Sequence, residues 1–322
     1  MSPAESAVAW AADRPSPETS GPFLAADVAV RTGHFAIVGD LQPTSRLEFW
    51  RESNGPERER LVGEIVRSDP DFLALLGDMV FCGSSAAGWS RFDRVCSPLR
   101  SARLRLFPVL GNHEYWISRP RALQNFFSRF PEIEERHWYA LRYGPLGLVF
   151  LDSNVRFLSA RQWREQRSWF DAILAAADSD PDVRGVLVFL HHPPFTNSTI
   201  TSDERHVQRF FVPPFRASLK SLAMISGHVH SYERFERGGK TFVVAGGGGA
   251  ARVRLFEERR RRHSDDAFAG PPLRFFHYLD CAFEEEALTI EVRGLEKGGD
   301  AIAVQDRFAL LWPADGRHRV GI

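Results

Sequence analysis

Short apolar runs recur along the first three quarters of the chain, and longer stretches with helical character separate them. The runs are His34–Asp40, Phe72–Asp78, Leu106–Gly111, Val186–Leu190 and Ala223–Ser226. Wholly apolar runs of this length are typical of strands that are buried on both faces. The intervening stretches predict helices near Arg46–Arg67, Ala87–Arg100, Pro120–Phe130, Leu158–Ala177 and His206–Leu222, the last kinked or split by Pro213–Pro214. The pattern predicts an α/β protein whose sheet is covered on both faces.

The later part of the chain is richer in strands, and its beginning lacks any regular pattern. Gly144–Pro145 separates Trp138–Tyr143 from Leu148–Asp152, which predicts a hairpin. Residues 1–30 are rich in Ala, Pro and Ser, so we expect a tail followed by a single domain over residues 31–322. Further strands are expected at Thr241–Ala245, Phe275–Cys281 and Leu288–Arg293.

The composition is that of a globular protein with no excess of either charge. The 322 residues contain 41 Lys+Arg and 41 Asp+Glu, and 43% of them are hydrophobic, which excludes a disordered or fibrous protein. The zero net charge argues against a general nucleic-acid or membrane-surface binder. The sequence has no apolar run of about 18 residues, no basic-then-apolar start and three scattered cysteines. We therefore expect no membrane span, no signal peptide, no disulfide framework and a cytoplasmic location.

Polar clusters recur where the predicted strands end. In layered α/β folds, ligands gather at this edge of the sheet. These clusters contain carboxylates, carboxamides and imidazoles, which are ligands of transition metals. They are too many for one metal, but two metals that share a carboxylate would use them. The clusters are Gly39-Asp40-Leu41-Gln42, Gly77-Asp78, Gly111-Asn112-His113-Glu114, His191-His192-Pro193-Pro194 and Gly227-His228-Val229-His230. Two metals about 3.5–4 Å apart are suited to in-line displacement at phosphorus.

These clusters, in this order, resemble the signature of the calcineurin-like metallophosphoesterases, and the resemblance extends from about Phe35 to Gly249. The runs GHVHSYER, GNHE and VVAGGGG are most similar to the purple acid phosphatase branch. The resemblance implies a four-layer α/β/β/α sandwich, in which two mixed sheets are flanked by helices. It also implies a dinuclear site that holds two divalent or mixed-valence transition metal ions, Mn, Fe or Zn.

The resemblance also implies a role for each polar residue of the clusters. His113 would be the catalytic residue that contacts the scissile phosphate or the leaving group, and Asn112 would bind substrate beside it. We assign a metal ligand to His191 because the family motif has the form His-x-Pro, with His192 as the alternative. The implied ligands are Asp78 bridging both metals, Asp40, Gln42 and His230 on the first metal, and Asn112, His191 and His228 on the second.

Two positions depart from the purple acid phosphatase pattern. Gln42 stands where that branch has glycine and other members have histidine, and Phe81 stands where the purple enzymes have an iron-binding tyrosine. The charge transfer that makes those enzymes purple is therefore excluded. A carboxamide oxygen from Gln42 is a neutral, harder donor than imidazole, so we expect a weaker first site that tolerates Mn²⁺ or Fe²⁺. Alternatively, Gln42 only hydrogen-bonds a metal-bound water.

The function implied by the resemblance is hydrolysis of a phosphate ester by attack of a metal-activated water. We expect a phosphomonoesterase that acts on a small substrate, without a nucleic-acid or membrane partner. A phosphodiesterase or nucleotide pyrophosphatase is an alternative, because the same site would activate water for all three substrates. A non-catalytic scaffold with the same fold is the alternative from a different class, and the oligomeric state is left open.

Three further features have two interpretations each. The Gly246–Gly249 run could bind a phosphate through main-chain N–H groups or form a tight turn against the second sheet. Arg259–Arg262 is expected to be a solvated loop, although arginines at the mouth of a pocket could select anionic substrates. His206 and Asn197 are candidates for a substrate-contacting loop.

Overall fold

Two six-stranded sheets form the centre of the computed structural model, which describes residues 28–45 and 48–313. The strands are β1 (His34–Val38), β2 (Phe72–Leu75), β3 (Arg105–Pro108), β4 (Tyr139–Tyr143), β5 (Leu146–Phe150), β6 (Gly185–Leu190), β7 (Ser221–Ser226), β8 (Tyr232–Arg237), β9 (Lys240–Ala245), β10 (Phe276–Phe283), β11 (Ala287–Leu295) and β12 (Ile302–Leu311). The first sheet has the order β12-β11-β10-β1-β2-β3 and the second β4-β5-β6-β7-β9-β8. Both are mixed. In the first sheet, β1, β2 and β3 are parallel and form one half, and the pairs from β1 to β12 are antiparallel. The second sheet has a parallel centre with an antiparallel strand at each end.

Seven α-helices connect these strands within the described residues, and proline or a side-chain cap marks where several of them begin. They are α1 (Gly55–Arg67), α2 (Ala86–Val95), α3 (Ser97–Ser101), α4 (Arg119–Phe127), α5 (Ala160–Ser179), α6 (Arg205–Phe210) and α7 (Val212–Ala217). Short 3-10 helices occur at His113–Tyr115, Pro131–Ile133 and Glu258–Arg260. The longest helix, α5, begins with a capping box in which Ser159 and Gln162 bond each other's main-chain N–H groups.

Alternate residues along the strands of the second sheet belong to two different hydrophobic clusters, one on each face of the sheet. Leu187 and Phe189 of β6 belong to a core shared with the first sheet, whereas Val186 and Val188 pack with residues of α5, α6 and α7 on the other face. Successive side chains of a strand point to opposite faces, so both faces of this sheet are buried. On the first sheet, α1 packs against β10. The order of layers is helix, sheet, sheet, helix, which confirms the predicted α/β/β/α sandwich.

Several predicted element boundaries are wrong, and chain-breaking residues explain them. The helix predicted near residues 46–67 begins at Gly55, with Pro56 in its first turn, and Arg46 and Leu47 lie outside the described residues. The helix predicted over residues 87–100 is two helices, because Pro98 lies in the first turn of α3. The stretch predicted to be helical up to Leu222 ends at Ala217, and β7 already begins at Ser221.

Two strands, β8 and β12, were absent from the sequence prediction. Each lies at one end of its sheet, where one side has no strand partner. The sequence of β8, YERFER, contains four charged residues, and much of β12 is partly or fully exposed. Charged residues are favoured on edge strands because they oppose pairing with other chains, so edge strands lack the apolar pattern that marks a central strand. The hairpin of β4 and β5 is confirmed, with Tyr143 opposite Leu146.

The predicted tail covers residues 1–30, and residues 1–27 lie outside the described part of the chain. Val28 is buried, and its main-chain N–H donates to the Arg142 carbonyl oxygen at 3.0 Å. The division into a tail and one domain over residues 31–322 stays a prediction. Across residues 28–45 and 48–313, no helix is both long and apolar enough to cross a membrane.

Candidate metal centre

Five loops that follow parallel strands meet at one edge of the two sheets. The strands β1, β2 and β3 of the first sheet and β6 and β7 of the second each end just before one polar cluster. The carboxyl ends of parallel strands lie at the same edge, so residues distant in sequence come together there. The first clustered residue in each loop is, in chain order, Asp40, Asp78, Asn112, His191 and His228.

Three of these residues have an unusual backbone conformation. The φ angle is 59° at Asp40, 52° at Asp78 and 66° at His228, all in the left-handed region. A residue other than glycine held in this region costs on the order of 1–3 kcal/mol and is concentrated at functional sites. The strands predicted to include Asp40 and Asp78 end earlier, at Val38 and Leu75, because these loops turn sharply.

The first cluster of acceptor atoms is the Asn112 pocket, which we define by Asp78, Asn112, His191 and His228. His191 Nδ1 donates to the Leu76 carbonyl oxygen at 2.8 Å, so its Nε2 is the free ring nitrogen. That Nε2 lies 3.3 Å from Asp78 Oδ2, 3.2 Å from Asn112 Oδ1 and 3.1 Å from His228 Nδ1. The Asp78 and Asn112 oxygens and the Nε2 of a neutral His191 are all acceptors, and His228 Nδ1 is a fourth when His228 carries its proton on Nε2. In that state a cation would satisfy all four atoms at once.

The second cluster is the Asp40 pocket, which we define by Asp40, Gln42, Asp78 and His230. His230 Nδ1 donates to the Ala251 carbonyl oxygen at 2.7 Å, which leaves Nε2 free 3.4 Å from Asp40 Oδ1. The other Asp40 oxygen, Oδ2, accepts a hydrogen bond from the His228 main-chain N–H at 2.9 Å. The two pockets therefore share Asp78 and are also joined through Asp40 and His228.

The Gln42 carboxamide completes the Asp40 pocket in only one orientation. Its nitrogen then donates to the main-chain oxygens of Asp78 at 2.5 Å and Asp40 at 3.3 Å, and its oxygen lies 3.2 Å from His230 Nε2. The same end of the amide lies 3.4 Å from Asp78 Oδ2. Main-chain carbonyls thus aim the Gln42 oxygen at the other acceptors of the pocket. A neutral oxygen among carboxylate and imidazole acceptors is the donor set of a cation site.

The charges of the two pockets depend strongly on one another. Burial alone would raise the pKa of Asp78, but the neighbouring His191 and His113 imidazoles hold it well below its usual value. Burial would lower the pKa of His191, yet the Asp78 carboxylate raises it. Burial raises the pKa of Asp40 despite His230 and lowers the pKa of His228. Protons and metal ions compete for such groups, so a bound metal would replace the shared protons.

Glu114 supports Asp78, and the sequence analysis gave it no role. Its Oε2 accepts hydrogen bonds from the main-chain N–H groups of Asp78 at 2.7 Å and Gly111 at 2.8 Å, and its Oε1 accepts one from Met79 at 2.8 Å. A Cβ atom at Gly111 would lie 2.2 Å from Asp78 Oδ1, so only glycine fits there. The GNHE run itself was the signal that could have identified Glu114.

Arg58 and the glycine run hold the Asp40 loop from the other side. Arg58 is buried, and its Nη2 donates to the carbonyl oxygens of Gln42 at 3.2 Å and Gly249 at 3.0 Å. Gly248 N–H donates to the Gly39 carbonyl oxygen at 2.8 Å. The Gly246–Gly249 run therefore packs closely against the loop that carries Asp40, which favours the tight-turn interpretation.

His113 lies beside Asp78 with one ring nitrogen fixed. Its Nδ1 donates to the Phe81 carbonyl oxygen at 2.7 Å, and its Nε2 lies 3.7 Å from Asp78 Oδ2. Trp116 stacks on the imidazole with ring centroids 3.7 Å apart, and Phe81 contacts it edge-on at 5.3 Å. The side chain is thus held by packing and by one hydrogen bond, and Nε2 is left for other chemistry.

His192 lies next to the Asn112 pocket but has a different partner from His191. Its Nδ1 lies 2.8 Å from Ser153 Oγ, which also accepts a hydrogen bond from the His192 main-chain N–H at 3.0 Å. Ligand atoms of His191, His192 and His228 lie within 4.8 Å of one another. The sequence analysis missed Ser153, although the Asp152-Ser153-Asn154 cluster after β5 repeats the pattern of polar residues at a strand end.

An open cleft of about 680 Å³ adjoins the Asn112 pocket. The cleft is lined by Asn112, His192 and His228. The apolar side chains of Trp116, Val155 and Phe157 also line it. The candidate His206 also lines this cleft, whereas Asn197 is buried and bonds His263 through its side chain instead. Because the cleft exceeds the size of a phosphate group, it has room for a leaving group as well.

Arg262 is exposed, as the solvated-loop prediction for Arg259–Arg262 expected, but its guanidinium is also held by hydrogen bonds. Arg262 Nε donates to the Thr196 carbonyl oxygen at 3.0 Å and its Nη2 to the Ser198 carbonyl oxygen at 2.6 Å. These bonds tie residue 262 to the loop after β6. Arg259 and Arg260 are exposed, as the prediction expected.

Comparison with known proteins agrees with this geometry. The family model described as calcineurin-like phosphoesterase matches residues 33–232. The chain therefore belongs to the calcineurin-like phosphoesterase family. That membership confirms the resemblance found in the sequence.

Several relatives and structural neighbours are phosphatases by name, whereas a neighbour with a TM-score of 0.68 and 13% identity, covering 88% of this chain and 90% of that one, is named as an anchor in the inner membrane complex of Plasmodium. Purple acid phosphatase 22 of Arabidopsis thaliana is 27% identical over 212 residues, covering 63% of this chain and 45% of that protein. The structure of a purple acid phosphatase from yellow lupin (Lupinus luteus) seeds has a TM-score of 0.69 and 19% identity, covering 89% of this chain and 55% of that one. A dimetal phosphatase from Danio rerio has a TM-score of 0.61 and 16% identity, covering 87% and 99%. The chain spans less than half the length of the curated relatives it matches.

Proposed function

We propose that this protein is a metal-dependent phosphomonoesterase whose reaction takes place at the two acceptor pockets. The observation that supports this most directly is the convergence of free acceptor atoms in two pockets that share Asp78, next to an open cleft. Buried acceptors without donors are destabilising unless a cation neutralises them. The donor chemistry therefore fits the dinuclear site that the family implies.

The two pockets provide the proposed ligands of the two metals. The Asp40 pocket would hold the first metal through Asp40, Gln42, Asp78 and His230, and the Asn112 pocket the second through Asp78, Asn112, His191 and His228. Oxygen and imidazole donors of this kind suit Mn, Fe and Zn. When bound, the two ions supply Lewis acidity toward the phosphoryl oxygens and lower the pKa of a coordinated water so that it can attack phosphorus.

His113 and Asn112 would act on the substrate itself. The bond from His113 Nδ1 to the Phe81 carbonyl oxygen fixes the tautomer, so a second proton would be carried on Nε2. From there His113 would donate it to the leaving oxygen, a contribution that is typically ~10²–10⁴-fold in rate. Asn112 lines the cleft, where its amide nitrogen would bind a phosphoryl oxygen.

The preference for monoesters has support outside the metal pockets, because several similar proteins are named phosphatases. A diesterase or pyrophosphatase would use the same pockets. A non-catalytic scaffold is the alternative suggested by the departures at Gln42 and Phe81. Two observations argue against the scaffold. All the other metal ligands that the family resemblance implies are present, and the Gln42 oxygen faces the other acceptors of the Asp40 pocket.

Metal analysis combined with paired kinetics tests the proposal. After reconstitution with Mn²⁺, we expect about two metals per chain and a kcat/KM for p-nitrophenyl phosphate well above those for bis(p-nitrophenyl) phosphate and a dinucleotide pyrophosphate. A reversed preference would support the diesterase or pyrophosphatase. Fewer than one metal per chain together with no hydrolysis would support the scaffold.

The His113→Ala variant separates catalysis from metal binding. It should retain both metals and lose most turnover, because His113 is placed to move a proton and not to hold a metal. His34→Ala is a matched control, since His34 lies at the opposite, amino-terminal end of β1 beside Asp280. Loss of metal from His113→Ala would show instead that His113 is a ligand.

A further inference from the structure

Two arginines without partners face the cleft beside the Asn112 pocket. Arg156 lies in the loop after β5, and Arg205 is the first residue of α6. Both line the cleft and are exposed, and neither guanidinium makes a hydrogen bond or ion pair with any of the residues that the structure describes. They are therefore available to a ligand in the cleft.

The other charged groups that line the cleft, Asp203, Glu204 and Arg262, each have hydrogen-bond partners in the protein. Asp203 accepts hydrogen bonds from Thr196 N–H at 2.9 Å and from His263 Nε2 at 3.0 Å. Glu204 Oε1 accepts bonds from the His206 main-chain N–H at 3.0 Å and from its Nδ1 at 2.9 Å. These carboxylates do not pair with the two arginines. Three arginines and two carboxylates line the cleft, so the net charge of these side chains is positive.

The two arginines line the same cleft as residues of the proposed metal pocket. Asn112 and His228 belong to that pocket and also line the cleft, so the phosphate to be cleaved would bind beside them. A volume of about 680 Å³ leaves room for a leaving group within the cleft that the arginines line. Guanidinium groups bind carboxylates and phosphates through charge-assisted, often paired hydrogen bonds.

We propose that Arg156 and Arg205 form a second anion subsite, which selects phosphate esters whose leaving group carries a further carboxylate or phosphate. This inference rests on the proposed phosphomonoesterase function and narrows it to a class of substrates. Residues outside the metal pockets would bind the second negative charge of the substrate. That charge should therefore lower KM more than it changes kcat.

Two matched pairs of substrates test the subsite. Glycerol 3-phosphate and 3-phosphoglycerate differ by a carboxylate, and fructose 6-phosphate and fructose 1,6-bisphosphate differ by a second phosphate. We expect kcat/KM to favour the more anionic member of at least one pair by about tenfold, the effect of roughly one charge-assisted hydrogen bond. The pair that shows the larger ratio identifies which anion the subsite prefers.

The double variant Arg156→Gln/Arg205→Gln should bring that ratio close to one through a rise in KM for the more anionic substrate. Arg91→Gln is the matched control, because Arg91 is an exposed residue of α2 that does not line the cleft. The Arg91→Gln variant should show the same ratio of kcat/KM values as the unaltered protein.

The outcomes separate this inference from the function on which it rests. Hydrolysis of all four esters without a preference for charge, or a preference that survives the double variant, would overturn the subsite and leave the phosphomonoesterase intact. If the metal-loaded protein hydrolyses none of these esters and no p-nitrophenyl phosphate, the proposed function itself is overturned.

Discussion

The Asp40 pocket and the Asn112 pocket share one carboxylate but differ in the atoms that surround it. The Asp40 pocket is rich in oxygen, since Asp40, Gln42 and Asp78 join a single imidazole. The Asn112 pocket has two imidazoles, from His191 and His228. Oxygen donors suit harder ions such as Mn²⁺, and imidazoles bind Zn²⁺ more tightly, following the general order of metal affinities.

From this difference we infer that the two proposed sites would prefer different ions. The Gln42 oxygen is neutral and is aimed by main-chain carbonyls, so it adds a donor without adding charge. We infer that the Asp40 pocket binds its ion more weakly and exchanges it more readily. Substitution of Asp78, which both pockets share, should weaken metal binding in both pockets. Substitution of a residue that belongs to one pocket should weaken metal binding in that pocket only.

The largest effect is expected from Asp78→Asn, because Asp78 belongs to both pockets. The variant removes the shared negative charge, and activity should fall by more than about 100-fold, since even residues that only support metal ligands cost ~10–100-fold. Metal content after dialysis should fall below one per chain. Asp93→Asn, which removes a surface ion pair with Arg129, should leave both quantities unchanged.

Single histidine variants should separate the two pockets. His228→Ala and His230→Ala should each leave about one metal per chain, because each residue lies in only one pocket. The retained ion should differ: in a mixture of Mn²⁺ and Zn²⁺, His230→Ala should keep Zn²⁺ in the Asn112 pocket. Mass spectrometry of metal content reports both numbers. Equal loss of both ions in both variants would contradict the assignment.

A smaller effect that reaches both pockets is expected from Glu114→Gln. The new amide group would face main-chain N–H groups that now donate to the carboxylate, which would displace the loop that carries Asp78. Affinity for both metals should fall by about 10–100-fold. Competition with a chelating dye measures these affinities. If the affinity falls in one pocket alone, the loop that carries Asp78 does not act on both pockets.

The smallest effect is expected at Gln42, and it should be confined to the Asp40 pocket. Gln42→Ala should weaken that pocket by about tenfold, and Gln42→His should strengthen it for Zn²⁺, because an imidazole replaces a neutral oxygen. Isothermal titration of the second equivalent of metal measures both changes. If neither variant changes the affinity, Gln42 contacts only water and is not a ligand.

Much of the fold and of the clustering at the site could be predicted from the sequence, for a topological reason. Apolar runs marked the central strands, and a polar cluster followed each of β1, β2, β3, β6 and β7. Because parallel strands end at the same edge, local sequence was enough to predict that these clusters meet. The roles of the clustered residues came from the resemblance to the family, and they remain proposals.

What could not be predicted depends on contacts distant in sequence or on loop geometry. The GNHE run marks Glu114 as a candidate residue, but its partners, main-chain groups of Asp78 and Met79, lie 36 and 35 residues earlier and the run does not specify them. Arg262 is exposed, as expected, but its bonds to carbonyls 64 and 66 residues earlier could not be predicted from the local sequence. The edge strands β8 and β12 were missed because edge positions carry charged or exposed residues.

The measurement that tests the central claim most directly is an anomalous-difference map of crystals grown with Mn²⁺ and inorganic phosphate. The account predicts two metal peaks about 3.5–4 Å apart, one on each side of Asp78, with the Gln42 oxygen facing the first and phosphate in the cleft between them. A single peak, or two peaks that do not share Asp78, would contradict it.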